Sequence, residues 1–275
     1  MIIGIDIGST TTKAVSIKDG RIFRCQTICL APLARAQDAV TAAAGALGKI
    51  VMENGINIKE IEKIKITGAG SSKIKDNIFD IPTGRVNEIE AIGIGGMFLS
   101  GVKNIIITNI GTGTVIIEAG DSGINHFGGS GIGGGTMLGL AKKLLPTAEF
   151  DGIMDLAKTG KLNTVDLLLG DITDNSISFL SGEATASNFA KMLDTAAPSD
   201  IALAIINMVY QVIGVLSVFA ARAKNYSCVI VTGNGSVNEI GRKILSDITA
   251  MYGIKFIYPE HAEYTTAIGA ALAAE

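Results

Sequence analysis

Met1-Ile2-Ile3-Gly4-Ile5-Asp6-Ile7-Gly8-Ser9-Thr10-Thr11-Thr12-Lys13 runs into Ala14-Val15-Ser16-Ile17, and this stretch decides the fold. Two β-type runs flank a small polar turn, the pattern of a hairpin. The turn gathers backbone N–H groups, hydroxyls and one lysine at a single place. A concave turn of amides binds an oxyanion without a bulky side chain intervening, so a phosphate fits there. Asp6 stands just before the turn. An ionised carboxylate in that position can hold Mg²⁺, which takes one or two carboxylates together with waters and substrate phosphates. Taken alone, the stretch also reads as an ordinary N-terminal hairpin with a glycine turn.

The design recurs. Asn104-Ile-Ile-Ile-Thr-Asn-Ile-Gly-Thr-Gly-Thr-Val-Ile-Ile-Glu118 is again an apolar strand, a Gly-Thr-Gly-Thr turn and an apolar strand, with Asn109 where the first copy has its acid. Internal duplication of a phosphate-type hairpin predicts two similar lobes, each presenting a loop to a shared cleft.

Composition allows a large core. The chain has 275 residues, 48% hydrophobic and 18% charged, enough for one large domain or two ordinary ones and too apolar for disorder. A net charge of −3 without a basic stripe argues against nucleic acid as a partner. Cys25, Cys29 and Cys228 show no zinc spacing. An odd cysteine count without a secretory signal suits a reducing, cytoplasmic setting. Residues 201–221 approach the length and apolarity of a bilayer span. Asn207 and Gln211 on one helix face, with Arg222 and Lys224 following, instead predict a buried core or subunit-interface helix and no membrane partner.

Along the chain, 21–30 reads as a third strand, 36–54 as a helix ending at Gly55, and 61–67 as a strand closing on the Thr67-Gly-Ala-Gly-Ser-Ser72 loop. Residues 86–99 read as a helix with Glu88 and Glu90 near its start. Acids there are favoured by the helix dipole; alternatively, one of them points into a cleft as a general base. Residues 126–140 read as a glycine-rich loop opening into a helix over 138–145. That loop is either an anion site at a helix N-terminus or a hinge between lobes. Residues 151–169 suggest a short helical pair, and 181–189 a capping-type start to a helix. Residues 228–237 form a buried strand that ends in Gly233-Asn234-Gly235, the place where nucleotides sit in α/β folds. A helix over 239–252, a strand over 255–258 and a small-residue helix from 265 to 274 close the chain.

Six segments carry a resemblance running almost end to end: Gly4-Ile-Asp-Ile-Gly-Ser-Thr10, Asn87-Glu-Ile-Glu-Ala91, Asn109-Ile-Gly-Thr-Gly-Thr114, Gly128-Gly-Ser-Gly-Ile-Gly-Gly-Gly135, Gly182-Glu-Ala-Thr-Ala-Ser-Asn-Phe189 and Ala267-Ile-Gly-Ala270. Together they resemble the type II pantothenate kinases, within the superfamily of acetate and sugar kinases, heat-shock ATPases and actin. The resemblance implies an α/β fold of two similar ribonuclease-H-like lobes around a nucleotide cleft. The lobes would be 1–103, with the C-terminal helix 264–275 packed back on it, and 104–263. It also implies ATP-dependent phosphorylation of pantothenate, the first step towards coenzyme A, by a homodimer using Mg²⁺.

Carried over by position, Glu88 would be the general base and Asp6 the magnesium carboxylate. Gly8, Ser9, Thr10, Lys13 and Gly111 would lie at the phosphates. Gly133, Gly134, Gly135 and Gly233 would meet the nucleotide, and Thr112 the acceptor. One position departs. The family's arginine for the acceptor carboxylate is His126 here, a shorter cation without a bidentate fork. It is either an acceptor contact or a hairpin-end histidine near solvent, and another pantothenate-like hydroxy acceptor stands as the alternative substrate. The opening segment also resembles the ATPase activators of 2-hydroxyacyl-CoA dehydratases, whose iron–sulfur cluster needs a cysteine context that Cys25, Cys29 and Cys228 lack. A nucleotide-binding regulator without transfer activity is a third class, against which Glu88 argues.

Overall fold

The computed structural model describes residues 1–28, 38–173 and 181–274. Ile2–Ile7 (β1), Thr12–Lys18 (β2) and Arg21–Ile28 (β3) form an antiparallel meander. Cys29 and Leu30, expected at the end of that third strand, and residues 36 and 37 of the expected helix lie outside the described residues. Helix α1 (Ala39–Asn54) starts at Asp38, whose carboxylate accepts from the Thr41 amide, and stops at left-handed Gly55. Its stripe of Ala39, Ala43, Leu47 and Ile50 packs against Ile3, Ile5 and Ile7 on one face of the sheet. Burial of each such isoleucine contributes about 2 kcal/mol. Lys63–Thr67 (β4) joins β1 in parallel, and Thr83–Arg85 (β5) joins β4, giving the order β3-β2-β1-β4-β5.

After helix α2 (Glu88–Ser100), the second half repeats this plan. Ile105–Ile110 (β6), Thr114–Gly120 (β7) and Gly123–Ser130 (β8) form the second meander. Helices α3 (Gly134–Leu144) and α4 (Phe150–Ala157) follow, then the small pair Leu167–Leu168 (β9) and Thr185–Ser187 (β10). The long helix α5 (Pro198–Ala223) leads to Cys228–Thr232 (β11), α6 (Glu239–Tyr252) and Lys255–Ile257 (β12). The sheet order is β12-β11-β6-β7-β8, with β11 parallel to β6 and to β12. Strand for strand, β6, β7, β8, β11 and β12 correspond to β1, β2, β3, β4 and β5.

The apolar segment 201–221 lies within α5 and is a core helix. Ile205, Ile206, Val209, Tyr210 and Ile213 are fully buried against the second sheet, α4 and α6. Two helices cross between the halves. Helix α7 (Thr265–Leu272) packs on β1, β2 and β4, while α2 packs on the second sheet through Ile92, Ile105, Ile107 and Ile117. They meet through small residues, because a Cβ on Gly269 would overlap the Ala91 carbonyl.

Three local expectations need correction. The 126–130 stretch is not loop but the end of β8, since β7 offers it a ladder that glycine content alone does not reveal. Segment 181–189 does not start a helix. The fully buried Asp166 carboxylate accepts from Phe189 N at 2.8 Å, Asn207 Nδ2 at 2.8 Å and Asn188 Nδ2 at 3.3 Å, so the segment is held extended and α5 begins only at Pro198. Residues 151–169 contain one α-helix, α4, then a 3₁₀ turn and β9 rather than a helical pair.

Candidate active site

The duplicated meanders bring their turns face to face. Turn 8–11 of the first hairpin and turn 111–113 of the second line one cavity of about 310 Å³, closed by Glu88, Gly233 and Asn234. The turns touch at their tips, where Ser9 Oγ and Thr112 Oγ1 are 2.5 Å apart.

Asp6 is the last polar side chain before the first turn and is cross-strand partner to Lys13. Facing residues of an antiparallel pair share one side of the sheet. Lys13 is buried and its Nζ donates to the Glu263 carbonyl at 2.5 Å, so the lysine is held in the cleft. Loss of water raises the Asp6 carboxyl above its ordinary range, and the Lys13 charge opposes that rise.

Glu88 is the first residue of α2. Asn87 caps the helix, its Oδ1 accepting from the Ile89 and Glu90 amides, and this fixes the carboxylate of Glu88 at the mouth of the cavity. Glu90 is not on the cavity wall. Although Glu88 is open to solvent on one side, withdrawal from water in the cleft raises its carboxyl, and the Asp6 charge adds to the rise. A carboxylate with elevated proton affinity suits a general base working near neutrality.

The loops after the parallel strands are twins. Thr67-Gly68-Ala69-Gly70-Ser71 and Thr232-Gly233-Asn234-Gly235-Ser236 follow β4 and β11. Gly68 has φ +84 and Gly233 φ +80, a region L side chains rarely adopt, and a Cβ on Gly233 would lie 2.6 Å from the Ile110 carbonyl oxygen. This repeat within the repeat was available in the sequence and would have added Ala69 and Asn234, both on the cavity wall, to the candidate set.

Of the residues expected at the site, Asp6, Gly8, Ser9, Thr10, Lys13, Glu88, Gly111, Thr112 and Gly233 line this one cavity. Gly133, Gly134 and Gly135 stand behind it. The amides of Gly134 and Gly135 donate to the carbonyls of Gly111 and Thr112 at 2.9 and 2.8 Å, so the start of α3 is stitched to the second turn and buttresses Thr112. His126 is exposed on edge strand β8, paired with Ile117, and is not on the wall. Thr11, Asn109, Ser130 and Thr266 also line the cavity and were not among the expected site residues. Cys25 lies in β3 and Cys228 in β11, in different sheets, and burial pushes the Cys25 thiol up to about 12, with Glu263 adding repulsion.

Two lobes of equivalent topology with paired turns around a cleft define the class. The activator of 2-hydroxyisocaproyl-CoA dehydratase from Clostridium difficile, solved with bound ADPNP, superposes with TM-score 0.67 at 21% identity over 98% of this chain and 92% of that one. A ROK family glucokinase from Streptomyces griseus, in complex with glucose and AMPPNP, gives 0.59 at 16% over 98% and 97%. The fold is therefore that of the actin-like ATPases. The Fumble family model matches residues 102–273. A type II pantothenate kinase of Bacillus cereus (strain G9842) is 31% identical over 98% of this chain and 97% of its own length. One from Staphylococcus aureus (strain USA300) is 29% identical over 98% of each. The chain belongs to the type II pantothenate kinase family.

Proposed function

We propose that this protein transfers the γ-phosphoryl group of ATP to the hydroxyl of pantothenate or a closely similar acceptor, as a cytoplasmic homodimer. The observation that carries the reading is the meeting of Asp6, Glu88 and both turns in one cavity. Phosphoryl transfer requires positioning, charge neutralisation and a group to take the hydroxyl proton. Glu88 takes that proton as the acceptor oxygen bonds to phosphorus. The bond from phosphorus to the bridging oxygen breaks, and ADP leaves with its electron pair. The turns at Gly8 and Gly111 leave room for the phosphates, and the hydroxyls of Ser9 and Thr10 and the Lys13 ammonium hold them. Thr112 orients the acceptor, and Gly133, Gly134, Gly135 and Gly233 border the nucleotide.

Mg²⁺ fits Asp6. Its carboxylate lines the cavity between the turns, and Mg²⁺ takes one or two carboxylates and completes its shell with water and phosphate oxygens. When bound, it would neutralise phosphate charge beside Asp6. His126 is assigned to the acceptor side on the resemblance alone. An ATP-dependent acceptor screen with pantothenate, pantetheine and related hydroxy acids tests the reading, with His126→Arg alongside. Phosphorylation of pantothenate by either protein supports it; pantothenate inert with both removes the pantothenate assignment, and no acceptor phosphorylated by either removes the reading.

A further inference from the structure

The loop after β11 reaches across the cleft from a fixed base. Gly233 N donates to the Ala262 carbonyl at 2.9 Å, Ser236 Oγ to the Gly233 carbonyl at 2.7 Å, and the buried Tyr210 hydroxyl to the Gly235 carbonyl at 2.7 Å. From this base Asn234 Nδ2 donates to Thr11 Oγ1 at 3.2 Å. The Thr11 carbonyl accepts from Gly8 N at 3.1 Å, the bond that closes the first turn. Thr11 thus ties the closure of the turn to the opposite lobe. A further cross-lobe bond at the cleft, Ser9–Thr112, joins the turn tips, where the proposed phosphates and acceptor must meet. The Asn234–Thr11 bond stands on the returning limb, where it can persist while ligands occupy the tips.

We infer that Asn234 is a positioning residue: through the Thr11 hydroxyl it holds the 8–11 turn in register with the second lobe, so that the turn's amides are aimed at the phosphates before nucleotide arrives. Its effect on turnover rests on the ATP reading above; the cross-lobe bond itself belongs to the free protein. Pre-organisation of this kind lowers the cost of binding rather than adding a contact.

The test uses the full chain as Asn234→Ala, Thr11→Val, the double variant and Thr11→Ser. Hydrogen exchange of the Gly8 to Thr11 amides is measured without ligand. Calorimetric titration with a non-hydrolysable ATP analogue plus magnesium is measured alongside, with the melting temperature as the control for folding. One lost hydrogen bond predicts turn amides that exchange about two- to tenfold faster in either single variant, and analogue affinity weakened by a similar factor. The double variant does no worse than the singles, Thr11→Ser behaves as wild type, and melting stays put. In steady state the ATP KM rises and kcat holds. Unchanged turn exchange in Asn234→Ala, multiplying effects in the double variant, or a Thr11→Ser as impaired as Thr11→Val overturns the inference. A wild type that binds no analogue overturns the ATP reading instead, and the exchange data still judge the pair.

Discussion

The two hairpins share strand order, turn placement and the glycine-centred loop beside them, yet their centres differ by one atom type. In the first, Asp6 faces Lys13 across the ladder and carries a carboxyl group whose proton affinity is raised by loss of water, with the Lys13 charge opposing the rise. In the second, Asn109 faces Val115, and its Oδ1 accepts from Thr232 Oγ1 at 3.1 Å. The equivalent threonine of the first lobe, Thr67, keeps a buried hydroxyl without a partner among the described residues. Duplication supplied two loops of one plan, residues 8–11 in the first and the shorter 111–113 in the second. The first keeps charge for chemistry, and the second has settled into internal hydrogen bonds that hold Thr112 in place. A nucleotide cleft needs both, because a charged centre without a rigid opposing wall does not position the reacting atoms.

The largest expected effect comes from removing the charges on the first side. Glu88→Gln lowers kcat by about 10²–10⁴ with little change in ATP KM, as loss of a general base does. Asp6→Asn, which makes the first hairpin resemble the second, lowers kcat/KM by at least about 100-fold, and added magnesium recovers part of it. Both are read by steady-state kinetics over a magnesium series.

The converse exchange, Asn109→Asp, places a further carboxylate beside the same cavity. Its repulsion of phosphate weakens binding of an ATP analogue by about tenfold in calorimetry, and more at low salt. Improved binding would break the asymmetry argued here.

The pH dependence sharpens the same contrast. With its pKa raised in the folded state, Glu88 keeps its proton to higher pH than a fully solvated glutamate. kcat/KM therefore climbs through an acid limb displaced upward from the ordinary glutamate range. Folding linkage has the matching sign: the folded state binds this proton more tightly than the unfolded chain, so the Glu88 contribution to stability falls as pH rises through that window. In Asp6→Asn one cause of the rise is gone, and the Glu88 titration followed by carboxyl-carbon NMR moves down. Desolvation, the larger cause, remains, so the shift is partial.

The smallest effect concerns the twin threonines. Thr67→Val removes an unpartnered hydroxyl and leaves stability unchanged or up to about 1 kcal/mol higher. Thr232→Val breaks the bond to Asn109 and costs about 1 kcal/mol. Urea unfolding of the two variants checks the pair, and equal losses would mean the lobes are not organised differently at this position.

Much of this was legible before the structure. An apolar run with one acid, a Gly-Ser-Thr turn and an apolar return fix the hairpin, and its echo at Asn109 predicts the second lobe, because periodicity and turn chemistry are local properties. The helix start admitted both Glu88 and Glu90, and the resemblance singled out Glu88, which lines the cavity where Glu90 does not. What escaped was set by distant partners. Strand β8 carries glycines that read as loop until β7 supplies the ladder, although the first meander already implied a third strand. The stretch around Asn188 looks like a helix start until the buried Asp166 takes its donors. The glycines at 133–135 read as an anion loop, and only contact with the second turn reveals that two of their amides are already bonded.

The most direct measurement is a single-turnover reaction of excess enzyme with γ-labelled ATP and pantothenate, comparing wild type with Glu88→Gln by label transferred to the acceptor. Rapid label transfer to pantothenate by the wild type, with transfer by Glu88→Gln slowed by about 10²–10⁴ at unchanged ATP binding, is the predicted result. Equal transfer by both proteins, or release of label only to water, would contradict it.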